Sequence, residues 1–128
     1  MSTLARFQPA FLTLAAVGLT PIALGYGAAP NVTLPWMFGI DASAANTRHI
    51  FRAVMGLYLA LALFWLMGAR KPDLRIPALW SLVIFMGGLA AGRALSLLLD
   101  GLPHPLLLIY LFLELGFCAL GWKLLTDR

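Results

Sequence analysis

Cysteine, histidine and charge are all scarce in this chain. A single cysteine, Cys118, excludes an intramolecular disulfide, a CxxC redox pair and a thiolate metal cage. It reads instead as a small packing residue. Of the two histidines, His49 and His104, the second stands between Pro103 and Pro105 at a turn, which argues against an axial haem pair. No serine has a histidine and an acid to work with, and neither a glycine-rich phosphate loop nor a zinc spacing is present. No catalytic constellation, metal set or cofactor is therefore expected. Charged residues make up only 11% of the chain, where soluble domains carry about 25%. That deficit excludes an ordinary soluble fold.

What fills the chain instead is hydrocarbon. Apolar residues are 62% of the 128 positions, and a chain this short has too little interior to hide them from water. Lipid must take the excess. The net charge of +4 comes from dispersed lysines and arginines, which read as topology signals rather than as a footprint for nucleic acid.

Four apolar runs, at about 9–29, 48–68, 76–99 and 105–125, each reach the length of about 17–25 residues that a bilayer core demands. They lack strand-like alternation and exceed the length of barrel strands, so all four are predicted helices. The connections 69–75 and 100–104 are short enough to make neighbours antiparallel. The expected fold is thus all-α: one domain over 1–128, a four-helix antiparallel membrane bundle with an external loop at 30–47. Pro21 is expected to kink the first helix, and Gly18 and Gly25 to let a neighbour approach. Arg6, the following apolar run and Gly25-Tyr26-Gly27-Ala28-Ala29 have the outline of a signal peptide. The run is long for that role and Pro30 follows the apparent cut, so an uncleaved helix is expected.

Orientation follows from lysine and arginine. Arg6, Arg70, Lys71, Arg75, Lys123 and Arg128 fall on the side of both termini, and Arg48 with Asp41 and Asp100 on the other. Basic residues stay inside, so both termini are expected in the cytoplasm. The external loop holds an apolar stretch around Trp36, expected to be half-inserted at headgroup depth and to cover the outer end of the bundle. Trp65, Trp80 and Trp122 read as interfacial belt anchors near the cytoplasmic ends.

Against this background the embedded charges stand out. Counting 1.5 Å per residue, Arg52 lies about 8 Å, Arg93 about 9 Å and Glu114 about 13 Å below the outer face. An unpaired charge there costs several kcal/mol, so the three are expected to face inward and neutralise one another. In the outer half Arg48, Arg52 and Arg93 balance Asp41, Asp100 and Glu114. Helical spacing supports a shared interior, since Arg93, Ser96 and Asp100 form one stripe, and Tyr110, Glu114, Cys118 and Gly121 another. The second stripe should bring the Tyr110 hydroxyl near Glu114. Gly88 and Gly92 form a GxxxG pair just below Arg93, expected to admit a neighbouring helix.

The patterns HIFRAVMGLYLALALFW at 49–65, GRALSLLLDGLP at 92–103 and LELG at 113–116 resemble a bacterial four-helix inner-membrane family known only as domain of unknown function 4345. The resemblance implies that Arg52 with Gly56, then Gly92, Arg93 and Ser96, and Glu114 act as one unit in a bacterial inner-membrane protein. It implies no activity. Three readings remain open. The cluster can bind an anionic lipid, a small anionic group or a partner subunit, because arginine forks suit such groups. A homodimer can use Glu114 in a small proton- or ion-coupled transporter, although a glutamate flanked by arginine is expected to stay ionised. Or the charges only fix helix packing.

Overall fold

The computed structural model describes residues 3–127, and every regular element in it is a helix. A short 3-10 turn over Thr3–Phe7 leads into α1 (Gln8–Gly27), α2 (Pro30–Phe38), α3 (Ala45–Arg70), α4 (Pro72–Asp100) and α5 (Pro105–Thr126). Four of these helices are long and apolar enough to cross a membrane. Arg128, counted above among the basic residues of one side, lies outside the described residues.

The segment 30–47 is not the plain loop expected of it, and the described chain has five helices rather than four. Local chemistry explains the extra one. Pro30 occupies the first turn of α2, where its fixed φ suits the helix and its missing N–H is no loss. The Thr33 hydroxyl donates to the carbonyl of Gly25 at 2.6 Å, tying the new helix to the last turn of α1. Gly39, at φ +68°, ends it in the left-handed conformation, and the Gly39 and Ile40 N–H groups donate to Pro35 and Leu34. Leu34 is fully buried beneath the helix while Trp36 is 84% exposed on its outer side. In the turn that follows, the exposed Asp41 carboxylate accepts the Ser43 N–H at 3.0 Å, which holds its carboxyl below the usual range.

Between α3 and α4 the expected connection 69–75 shrinks to Lys71. Pro72 starts α4 at once, in the same way that Pro30 starts α2.

α1 is the most enclosed span, and it packs chiefly on α3. Its inward stripe is Phe11, Leu12, Ala15, Ala16, Leu19 and Ala23. Around Leu12 the chain closes tightly on Trp65, Ala78, Leu79 and Leu82. Trp65 is therefore not a belt anchor: it is fully buried, and its indole N–H donates to Ser81 Oγ at 3.1 Å, which satisfies its one polar atom inside the core. Trp80 and Trp122 do stay exposed, edge to face at 5.8 Å.

Of the glycines expected to admit a neighbour, Gly25 does so, with Met37 Sδ 3.3 Å from where its Cβ would stand, and the tightest approaches use others. A Cβ on Gly68 would collide with Ala78, one on Gly27 would meet Met55 Cβ at 2.5 Å, and one on Gly121 would meet Val83 at 2.9 Å. Gly18, Gly56, Gly88 and Gly92 face open space. The GxxxG pair thus admits no helix of this chain. Large apolar side chains such as Leu14, Val17, Ile84, Leu98 and Phe112 are left exposed on the outside of the helices.

Candidate functional site

The link between α4 and α5 sets the site. Gly101, at φ +88°, makes the turn, and His104 opens α5 by accepting the Leu106 N–H on Nδ1 at 3.1 Å. Arg93 lies seven residues before the end of α4 and Glu114 nine after the start of α5. Folding the two helices together about this link brings those positions level.

They meet. Arg93 Nε donates to Glu114 Oε1 at 2.7 Å and to Oε2 at 3.1 Å. The Glu114 side chain is 8% exposed and that of Arg93 22%, so the pair stands largely out of solvent. A carboxyl group so enclosed calls for a cation beside it, and Arg93 supplies one. Arg93 uses one edge for that contact. From its far side, Nη2 reaches the Tyr26 hydroxyl at 3.5 Å, at the long limit of a hydrogen bond. Its carbon Cζ stands 5.9 Å over the Tyr110 ring, within cation–π range. The Tyr58 hydroxyl is a further partner of the Arg93 guanidinium.

Tyr26 and Tyr58 join the expected Tyr110 at this site. The chain has three tyrosines, and all of them gather here. Tyr26 from α1 lies edge-on to Tyr58 of α3 at 5.7 Å and to Tyr110 of α5 at 6.4 Å. Phe38 of α2 stacks on Tyr26 at 5.7 Å and packs against Tyr110 and His104, so the short helix covers this cluster. Tyr110 was expected to bring its hydroxyl to Glu114; it presents its ring face to Arg93 instead. Tyr26 and Tyr58 carry a polar tip in an otherwise apolar span, and that is the clue by which the sequence could have revealed them.

The other expected members take separate places. Arg52 does not join the ion pair: its Nη1 donates to the Gly27 carbonyl at 2.9 Å and to that of Ala28 at 3.4 Å. These are orphan carbonyls at the end of α1, where a cation is favoured by the helix dipole. Arg75 does the same for α3, on the carbonyls of Gly68 and Ala69. Arg48 donates to the Ser43 carbonyl at 3.3 Å, and its buried Nε lacks a partner among the described residues. Ser96 donates to Asp100 at 2.8 Å along α4, exposed and apart from Glu114. The predicted three-way cluster is thus one ion pair with tyrosines around it.

Two spaces adjoin the pair. A groove of about 610 Å³ runs between α4 and α5, lined by Phe85, Gly88, Gly92, Arg93, Ser96 and Leu107 among others. A smaller space of about 200 Å³ is bordered by Gly18 of α1, Tyr58, Arg93, Tyr110 and Glu114. Arg93 borders both. No group of three His, Cys, Asp or Glu side chains among the described residues could hold a metal.

Residues 7–125 match the family described as Domain of unknown function (DUF4345), so the chain belongs to that uncharacterised family. No curated protein and no solved structure matches it.

Proposed function

We propose that this member of the family is a multi-pass protein of the bacterial inner membrane that binds, without catalysis, an amphiphile in the α4–α5 groove. Its four long helices run up and down the bilayer, with both termini in the cytoplasm. Arg6, Arg70, Lys71, Arg75 and Lys123 support that orientation. So does the bond from Gln8 to the Leu124 carbonyl, which sets the start of α1 beside the end of α5. α2 then lies at the outer headgroups, with Trp36 as its anchor.

One observation carries the binding reading. The Arg93 guanidinium, paired on one edge with Glu114, is the one charged group lining an apolar groove of about 610 Å³ between α4 and α5. A charged donor beside an apolar groove at membrane depth is costly to leave short of acceptors. A ligand whose head carries an acceptor and whose tail fills the groove removes that cost.

Native mass spectrometry of detergent-extracted protein tests this. Wild type should carry bound lipid-sized mass, and Arg93→Gln should lose it. Gly88→Leu is the companion variant: its Cβ enters open space, so the fold tolerates it while the groove fills. Bound mass unchanged in both variants would overturn the proposal.

A further inference from the structure

The start of α3 carries charge that the ion pair does not use. Arg48 and Arg52 stand four residues apart there, on one side of the helix and about 6 Å apart along its axis. Each is held by backbone carbonyls. Arg48 Nη2 donates to Ser43 at 3.3 Å, and Arg52 Nη1 donates to Gly27 at 2.9 Å and to Ala28 at 3.4 Å. A carbonyl dipole orients a guanidinium without cancelling its unit charge. The acids of this end are engaged elsewhere: Asp41 with the Ser43 N–H, Asp100 with Ser96, and Glu114 with Arg93. Among the described residues the contact between Arg93 and Glu114 is the one salt bridge. Arg48 and Arg52 therefore repel each other across one turn, with no carboxylate paired to either.

Below this pair the outward side of α3 is smooth. Arg52 is exposed, and so are Ala53, Gly56 and Ala60 at helical spacing behind it. A Cβ on Gly56 would meet nothing. Other spans turn bulky side chains outward, such as Leu14, Ile84 and Phe112. From Arg52 to Ala60 the helix rises about 12 Å, most of the depth of about 15 Å that one hydrocarbon leaflet has. Arginine forks suit phosphate oxygens, and small residues let a hydrocarbon chain lie close to the helix backbone. A second copy of this chain laid symmetrically on the same face would bring two more guanidiniums to the level of the first two, which charge disfavours.

We infer that this side of α3 binds one anionic phospholipid, with its phosphate between Arg48 and Arg52 and an acyl chain along Ala53, Gly56 and Ala60. The site rests on the chain spanning a bilayer. It does not rest on the α4–α5 groove, whose lining includes no residue of α3.

The test uses the full chain purified in an uncharged maltoside detergent and titrated with dioleoylphosphatidylglycerol or dioleoylphosphatidylcholine, with bound mass read by native mass spectrometry. The phosphatidylglycerol should bind about tenfold more tightly than the phosphatidylcholine, and excess inorganic phosphate should not displace it. Arg48→Gln combined with Arg52→Gln keeps a donor for each carbonyl and should weaken the phosphatidylglycerol about tenfold. Gly56→Leu, whose side chain enters open space, should weaken it about threefold at an unchanged unfolding temperature. Gly88→Leu, which fills the other groove, should leave it unchanged. Phosphatidylglycerol held as tightly by the double arginine variant as by wild type would overturn the inference, and so would its displacement by inorganic phosphate. Its loss in Gly88→Leu alone would also overturn it, while upholding the α4–α5 groove as the lipid site. A dimer mass that disappears in Gly56→Leu would overturn it in favour of a second copy.

Discussion

The two ends of the bundle are built from the same four spans and are packed in opposite ways. Around Gly68 the chain is dry and closed: Leu12, Trp65, Ala78, Leu79 and Leu82 have essentially no exposure, and Gly68 lets α3 and α4 touch. Around Tyr26 it is polar and open, with an ion pair, three tyrosines and two spaces that border Arg93. Between helices in lipid, small residues close an interface through van der Waals contact. Long polar side chains keep the backbones apart and must find partners across the gap. The difference teaches that the glycines which matter for packing are those with a neighbour already in place, whatever their spacing in the sequence.

The largest expected effect breaks the polar end. Glu114→Ala strands the Arg93 guanidinium and should cost about 3–5 kcal/mol, read as thermal unfolding in detergent. Replacing both partners, as Arg93→Met with Glu114→Leu, should recover most of that loss by making this end resemble the other. A double variant no more stable than Glu114→Ala would show that the pair does more than neutralise itself.

A smaller effect sharpens the contrast between glycines. Gly68→Ala drives a methyl into Ala78 and the Leu74 carbonyl, and should cost about 1–3 kcal/mol. Gly88→Ala enters open space and should stabilise α4 by about 0.5–1 kcal/mol. Equal unfolding temperatures for the two would contradict the packing described here.

The smallest concerns the exposed turn outside the spans. Asp41 accepts the Ser43 N–H, and its carboxyl is held below the usual range. Because the folded value is the depressed one, the contribution is present above the unfolded pKa and lost as pH falls through the folded one. Carboxyl chemical shifts followed by NMR should show Asp41 titrating low, and Ser43→Pro, which removes the donor, should return it to the ordinary value.

Much of this could be read from residues alone, but unevenly. Span number followed from run length, and the inward turn of Glu114 from the cost of an ion in lipid. Axial level could also be counted, because rise per residue is constant: Arg93 and Glu114 do meet. Arg52 shows the limit of that counting. The carbonyls of Gly27 and Ala28 at the end of α1 claimed it, and no count along one helix reveals what another helix's end requires. Trp65 was misjudged for a related reason. Its position near a helix end resembles a belt anchor's, and only the presence of Ser81 on the neighbouring helix makes burial tolerable.

The amino-acid sequence by itself determined a helical chain with four runs long and apolar enough to cross a membrane, and the few charges within them, because run length and the rise of a helix depend on nothing outside the run. Tertiary structure alone decided which arginine meets Glu114, how the three tyrosines surround that pair, that 30–38 coils into α2 over them, and that Gly88 and Gly92 line the α4–α5 groove. Those outcomes depend on how each helix is rotated about its axis, and that rotation is set by the side chains of its neighbours.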